Sequence, residues 1–405
     1  MSGTVYDCIV VGGGISGLTF AHYLKKEGKT VLVLEKEENP GGQLQTGHLS
    51  VQPDYWYELG SHTCYNSYTN LLAIVKELGE TGLIEPLGKF NYMLYASNKI
   101  KSIASEVSKF SCLLHFPKFF FSDKAGKTTR EYFRPIVGAS NYDRLFANAF
   151  RAVICQPADD YPAEIFLKKR KERDNKLARR FTFKGGLSSF IDAVIAKNNL
   201  EVSNLSEVVS VRKEAGTFLV ELRDGQVLHA HNIAMAANPN VTSALLREIE
   251  PELAGLLSSI PIFESESLNI TIPQEKIKLE PIAGIIPLSD EFLSVVSRDL
   301  VEDGKYRSFT FHFEKGKKTE AEKLDLICRV LNISASDIIE TKSIGHSLPA
   351  MRVELLNMDE KARDKKKDDR IYLLGNYYYG LSLEDCVIRS KAEFDRYRRD
   401  NIKGE

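Results

Sequence analysis

Apolar and polar positions along this chain mark out its first elements. Residues 6–11 form a short, mostly apolar run rich in β-branched side chains, which predicts a strand buried on both faces. Glycines follow at once. Leu18, Ala21 and Leu24 then recur at helical spacing up to Glu27, and Gly28 supplies the C-terminal stop. A second apolar run at residues 30–34 predicts the next strand and ends in Glu35. Later, residues 208–211, 217–220 and 227–229 read as three short strands. Glu214-Ala215-Gly216 and Asp224-Gly225 supply the turns of a β-meander. Residues 371–374 are a last buried strand, and Ser382 with Asp385 is a capping pair that opens a helix running to about Tyr397.

The first turn carries chemistry. Gly12-Gly13-Gly14-Ile15-Ser16-Gly17 fits G-x-G-x-x-G and stands between the strand and the helix. Gly12 permits the tight turn, Gly14 lets backbone approach a pyrophosphate, and Gly17 lets helix and strand pack closely. The free N–H groups of the helix start, at Ile15, Ser16 and Gly17, face the phosphate charge. Glu35 lies 18 residues after Gly17, where a carboxylate accepts hydrogen bonds from a ribose. The strand and helix that flank the motif make it a Rossmann-type dinucleotide site.

The residues after the second strand decide which dinucleotide. Glu35-Lys36, then Gly41-Gly42, Gln43 and Thr46, make the run E-K-x-x-x-x-G-G-x-x-x-T. It resembles the second signature of flavoproteins in the FAD-dependent amine oxidase and protoporphyrinogen oxidase superfamily. That family usually has arginine where this chain has Gln43, so one positive charge near the diphosphate is lost. Glu58-Leu59-Gly60-Ser61-His62 resembles the next family loop, where Gly60, Ser61 and His62 come near the flavin. Residues 181–187 resemble the F-x-G-G-h loop before a helix, and residues 232–239 resemble the strand that returns to the FAD sheet. At the position of Val208, the family's valine touches adenine through its backbone. Gly375-Asn376-Tyr377-Tyr378-Tyr379-Gly380-Leu381-Ser382-Leu383 and on to Val387 resembles the closing motif of protoporphyrinogen oxidases. The resemblance implies that Gly375, Asn376, Leu381, Ser382 and Leu383 meet the cofactor. It also implies that the final helix aims its N-terminus at the pyrimidine end of the flavin, stabilising the reduced ring. Departures occur after the cysteine, where Arg389-Ser390-Lys391 replaces a small residue and glycine. Candidates for catalytic contact are His62, Tyr378 and Tyr379.

Composition adjusts this picture only at its edges. A chain of 405 residues with 43% hydrophobic and 27% charged residues is ordinary globular material for two domains. The expected fold class is α/β: a Rossmann-type FAD-binding domain with a parallel sheet and β-meander, plus a discontinuous α+β substrate domain. The expected partition is 1–79, 180–245 and 346–405 for the first, and 80–179 and 246–345 for the second. A net charge of -1 gives no broad field for nucleic acid. The six cysteines show no metal-ligand spacing, so no metal is expected and a cytoplasmic location is. Residues 110–121 are largely apolar, carry Lys118 as their only formal charge and are interrupted by Pro117; they read as two short buried segments, with the peripheral membrane contact or substrate-channel helices that the resemblance implies as the alternative. Residues 168–180 and 361–370 are strongly charged and read as solvated loops.

Only one dinucleotide fingerprint is present, so electrons are expected to enter from an organic small molecule and leave to oxygen, a quinone or a protein acceptor. The resemblance implies a protoporphyrinogen oxidase-like enzyme acting on a large apolar substrate. Alternatives are another amine oxidase, a polyene desaturase, a non-redox isomerase of the sugar mutase type, and a flavin-binding scaffold without activity.

Overall fold

The computed structural model describes residues 4–108 and 114–402. The first predicted strand is β1 (Val5–Val11). Cys8 and Val10 enter one core, Ile9 and Val11 another, as a strand covered on both faces requires. β2 (Val31–Leu34) and β10 (Glu201–Ser203) extend the sheet in parallel on one side. On the other side lies β13 (Val227–Met235), also parallel to β1.

β13 joins what the sequence reads as two strands, and it forks. Its first half pairs with β12 (Thr217–Leu222), which pairs in turn with β11 (Val208–Glu214), giving the expected antiparallel meander. Its last residues, from Ile233 to Met235, pair in parallel with β19 (Ile371–Leu373). One face of this sheet is covered by α1 (Ile15–Lys26), α2 (Thr69–Glu77), α5 (Ser188–Asn198) and α10 (Leu383–Ile402). Phe20, Leu72, Phe190 and Val387 meet there. The opposite face packs against α3 (Thr129–Val137), α4 (Ala147–Ile154), α6 (Pro239–Leu246), α7 (Pro251–Ser258) and α9 (Met358–Lys365).

The second sheet runs in the order β18 (Glu340–Pro349), β14 (Ile262–Pro273), β17 (Tyr306–Glu314), β16 (Ser294–Ser297), β15 (Gly284–Pro287), β7 (Tyr92–Ala96), β8 (Lys99–Ser102). It is antiparallel except for the β15–β7 pair. Its side chains alternate by chemistry. Leu268, Ile270 and Ile272 of β14, with Phe309, Phe311 and Phe313 of β17, form a core with Leu326 and Ile327 of α8 (Glu320–Leu331). The other face carries Ser265, Ser267, Asn269 and Thr271 of β14 and Ser308, Thr310 and His312 of β17, all buried. Against this face lies β4 (Gln52–Glu58), paired with β3 (Thr46–Leu49), whose Glu58 carbonyl accepts the Thr310 hydroxyl. A small sheet of β5 (Cys64–Tyr65), β9 (Arg180–Phe183) and β6 (Ile84–Pro86) flanks the joint.

Three expectations are corrected. The apolar run does not form buried segments where it is described: Phe120 is 70% and Phe121 91% exposed, while residues 110–113 lie outside the described residues. The solvated loop expected at 361–370 is helical at first, since α9 runs to Lys365, and the Lys366 side chain is buried. The charged run from Lys168 is not simply solvated, because Lys168 and Arg170 turn inward to Asp385 at the start of α10. Among the described residues no helix is long and apolar enough to cross a membrane.

The start of α10 also holds α2. The buried Glu384 carboxylate accepts the Asn70 N–H at 2.9 Å, the Asn70 side-chain amide at 2.9 Å and the Leu71 N–H at 3.1 Å. α2 has no side-chain cap of its own, so a carboxylate from the far end of the chain satisfies its first donors. Glu384→Ala is expected to destabilise the protein by about 2–3 kcal/mol, read as a lower urea midpoint with unchanged slope.

Candidate active site

The glycine turn shows which of its residues are small for the protein's own sake. A Cβ on Gly17 would sit 2.1 Å from the Gly12 carbonyl oxygen, so Gly17 is needed for packing alone. Gly12, at φ +107°, has a conformation that side chains rarely adopt. Gly14 differs. Its φ of -74° suits any residue, and a Cβ there would meet nothing closer than Gly42 Cα at 3.7 Å. The protein itself gives no reason for glycine at position 14, and a ligand lying against it does.

The surrounding groups fit a dinucleotide. α1 opens with no side-chain cap and no acidic residue in its first turn, leaving the first-turn N–H groups of Ile15, Ser16 and Gly17 for an anion. Gly41 and Gly42 close the other side of the cradle with left-handed backbones at φ +126° and +61°. The Glu35 carboxylate accepts the Gly13 N–H at 2.8 Å and the Glu37 N–H at 3.0 Å. Each oxygen keeps lone-pair capacity for ribose hydroxyls. Lys36 is exposed and pairs with Glu37. Val208 opens β11 beside a bulge, and Ser206 N–H donates to the Glu35 carbonyl, which brings the meander to the same rim.

A chain of hydrogen bonds leads from this cradle into the joint between the sheets. The Gln43 carbonyl accepts the Ser61 N–H at 2.8 Å, and the Gly60 Cα presses on the same carbonyl so closely that a Cβ would lie 2.3 Å from it. One residue back, the Leu59 carbonyl lies 3.0 Å from His346 Nε2. His346 Nε2 is 2.8 Å from Ser267 Oγ, and Ser267 Oγ is 2.8 Å from His312 Nδ1. A carbonyl can only accept, so His346 Nε2 carries the proton. Ser267 Oγ then accepts from His346 and also bonds His312 Nδ1, so the two rings meet at one hydroxyl. Burial pushes His312 down to about 3, helped by the neighbouring His346 and His62; burial also lowers His346 and His62. All three rings are therefore neutral at neutral pH.

Beside this relay is a cavity of about 30 Å³ lined by Trp56, Glu58, His62, Asn269, Arg298 and Thr310, among others. Burial raises the Glu58 carboxyl to about 8. Glu58 accepts the Leu187 N–H at 2.7 Å and the Thr46 hydroxyl at 2.9 Å, tying the residues 181–187 loop to β3. A larger hollow of about 510 Å³ lies elsewhere, between α4 and the end of β17, and includes no residue of the glycine cradle.

The C-terminal motif divides. Gly375, at φ +129°, and Asn376 follow β19, and Asn376, Leu381 and Ser382 keep accessible surface. Ser382 and Asp385 form the expected cap: the Asp385 N–H donates to Ser382 Oγ at 3.1 Å, and Ser382 Oγ donates to Asp385 Oδ2 at 2.6 Å. Leu383 is buried as the first residue of α10. The tyrosines turn the other way. Tyr377 and Tyr378 enter the core beneath the first sheet, Arg389 lies 4.2 Å over the Tyr378 ring, and the Tyr379 hydroxyl reaches Asp359 at 3.3 Å. Of the three candidates for catalytic contact, the structure brings only His62 to the cavity. Sequence reading missed Ser267, Asn269, Arg298, Thr310, His312 and His346. The signal for Ser267, Asn269, Thr310 and His312 was the polar–apolar alternation of residues 267–272 and 308–313; Arg298 and His346 lie outside those stretches.

Known proteins share both the sequence pattern and the fold. The family model for flavin containing amine oxidoreductases matches residues 15–269. Pseudooxynicotine dehydrogenase from Pseudomonas sp is 24% identical over 290 residues, which covers 63% of this chain and 56% of that protein. The chain thus spans little more than half the length of that relative. A "putative protoporphyrinogen oxidase" from Exiguobacterium sp. 255-15 superposes with a TM-score of 0.79 at 14% identity, covering 98% of this chain and 99% of the other. Putrescine oxidase bound to putrescine superposes with a TM-score of 0.72 at 14% identity, covering 98% of this chain and 99% of the other. At such identities the likeness is one of fold.

The site leads to two expected outcomes. Gly14→Ala is expected to fold with an unchanged melting midpoint yet bind FAD at least about tenfold more weakly, since only the ligand occupies the space of the new methyl. Titration of apo-protein with FAD measures it. Glu58 holds its proton to higher pH in the folded state than in the unfolded chain. Its contribution to stability is therefore full below the ordinary carboxyl value of 4.5 and is lost as pH rises through about 8. Glu58→Gln, which mimics the protonated carboxyl, is expected to flatten that fall in urea midpoints measured from pH 5 to 8.

Proposed function

We propose that this chain, which belongs to the flavin containing amine oxidoreductase family, oxidises a polar small molecule seated between the Gly60-Ser61-His62 turn and the polar face of the second sheet. The observation that carries this reading is the continuous path from Gln43 through Ser61 and Leu59 to His346, Ser267 and His312. It joins the cofactor cradle to a buried row of hydroxyl, amide and imidazole groups. A face built for an apolar substrate would be lined as the opposite face of the same sheet is lined, by Leu, Ile and Phe.

When bound, FAD would supply the redox chemistry as the two-electron acceptor for a hydride from a substrate carbon, with oxygen or a quinone as the final acceptor. Ile15, Ser16 and Gly17 hold its pyrophosphate, Glu35 its ribose, and the Gly41-Gly42-Gln43 turn the opposite side. The protein's own task is to bind the substrate and receive the proton released with the hydride. His312 is too weak a base for that, so the His346–Ser267–His312 row fixes the substrate's polar groups. His62 is the proposed proton acceptor. It is neutral, it lines the cavity, and its bond to the Gly60 backbone fixes one ring nitrogen as donor and leaves the other to accept.

A porphyrinogen is the second reading. The partly exposed rings of Tyr65, Phe90 and Tyr92, close to the cavity residue Leu87, favour it by offering a flat molecule an aromatic rim.

The test is anaerobic bleaching of the flavin-loaded protein by an amine, an amino acid, a porphyrinogen and a polyene in turn. We expect bleaching by one of the first three, and His62→Asn to keep its FAD while losing the acid limb of the rate–pH profile. Protein that releases no FAD on heating, or bleaching by the polyene alone, defeats the reading.

A further inference from the structure

Charged side chains taken out of water are paired, because an unpaired one forfeits several kcal/mol of hydration. The second sheet shows the rule. Arg307, at the end of the apolar face of β17, is gripped by Asp299 at 2.5 Å. In the final helix Arg389 is paired with Asp359 and Glu393. Arg298 breaks the rule. It is mostly buried and its guanidinium lies 4.3 Å over the Trp56 ring and 5.2 Å from the Tyr55 ring. Its Nε donates to the Trp56 carbonyl at 2.9 Å, and Nη1 donates to the Val301 carbonyl. Neither partner carries charge. Among the described residues no carboxylate forms an ion pair with it; Glu85, Asp303 and Glu58 act on it only from farther off. Among the described residues Nη2 has no acceptor.

Among the neighbours of that free edge, Asn269 keeps a donor. Arg298 lines the 30 Å³ cavity with Asn269, Ser308, Thr310 and Glu58. Asn269 spends one amide N–H on Thr310 Oγ1 at 2.9 Å and keeps the second. Thr310 in turn donates to the Glu58 carbonyl at 2.7 Å. The rings and carbonyls hold the guanidinium in one plane, so its remaining N–H groups are presented as a fixed fork, the geometry that matches a carboxylate. The volume suits a group of that size and excludes a ring.

We infer that Arg298 and Asn269 form an anion subsite that receives a carboxylate of the substrate. The inference rests on the proposed placement of the substrate in this cavity and narrows it to carboxylate-bearing molecules. The carboxylate supplies the counter-charge that the fold withholds from Arg298. It thereby anchors the far end of the substrate, while His62 in the wall of the same cavity faces the reacting carbon.

The test uses butyrate against butylamine and 1-butanol, three probes of one length that differ in their head group. Binding is read by the thermal midpoint of the protein with and without FAD, and by the absorption difference spectrum of the flavin-loaded form. Butyrate is expected to raise the midpoint saturably and to perturb the flavin spectrum, and the amine and alcohol to do neither. Arg298→Met is expected to weaken butyrate at least about thirtyfold, while keeping its FAD content. Arg298→Lys keeps the charge without the fork, guards against a folding defect in the methionine variant, and is expected to lose about tenfold. Equal binding of butyrate and butanol, or unchanged butyrate affinity in whichever variant folds, overturns the inference. The two ideas fail separately. A protein that takes no FAD but still binds butyrate through Arg298 loses the oxidoreductase reading and keeps the subsite. A flavoprotein bleached by substrates yet indifferent to carboxylates loses the subsite alone.

Discussion

The structure turns on the position of β4 between two sheets. A polar strand face cannot be buried unless something answers its hydrogen bonds, and β4 does so with backbone as much as with side chains. The carbonyls of Trp56, Glu58 and Leu59 receive Arg298, Thr310 and His346 in turn. The Glu58 carboxyl takes the Leu187 N–H just before α5 and the Thr46 hydroxyl of β3. A main chain cannot be repacked as a side chain can. The cofactor cradle and the polar face are therefore held in register by groups that no substitution removes.

This arrangement explains what could be read from the sequence. The glycine turn, Glu35, the Gly41-Gly42 pair and the Ser382–Asp385 cap were legible because their meaning is local: a turn, a helix start and a strand end lie within a few residues of one another. The meander was legible from its turns. The cavity was not. Residues 267–272 alternate in a way that fits a strand with one face in water, and a buried polar face gives the same pattern. Arg298, Ser267 and His346 are brought together from three separate stretches of chain, so no spacing announces them. Tyr377 and Tyr378 misled for a related reason. An aromatic run beside a cofactor motif suits a substrate wall and suits a sheet end, and here the sheet end took it.

Two kinds of buried cation stand side by side. Arg307 and Arg389 have carboxylate partners within the chain, and their work is to join elements. Arg298 is held by ring faces and carbonyls, which fix its direction without neutralising it. The same contrast runs through the titrating groups. His312, His346 and His62 are kept neutral by burial, and Glu58 is pushed toward its neutral form, so the guanidinium is the one strong charge in the described wall of the cavity.

The fork of β13 bears on how such a molecule is made. Its final residues wait for β19, more than a hundred positions further along, and α2 waits for Glu384 to satisfy its first turn. The first βαβ unit is thus synthesised early but sealed late. During translation one flank of its sheet stays open and its helix layer incomplete until the ribosome has delivered β19 and α10. Long-range closure of this kind slows folding and leaves apolar edges uncovered in the meantime. The cradle for the nucleotide and the need for protection during synthesis both come from bringing distant stretches of the polypeptide together.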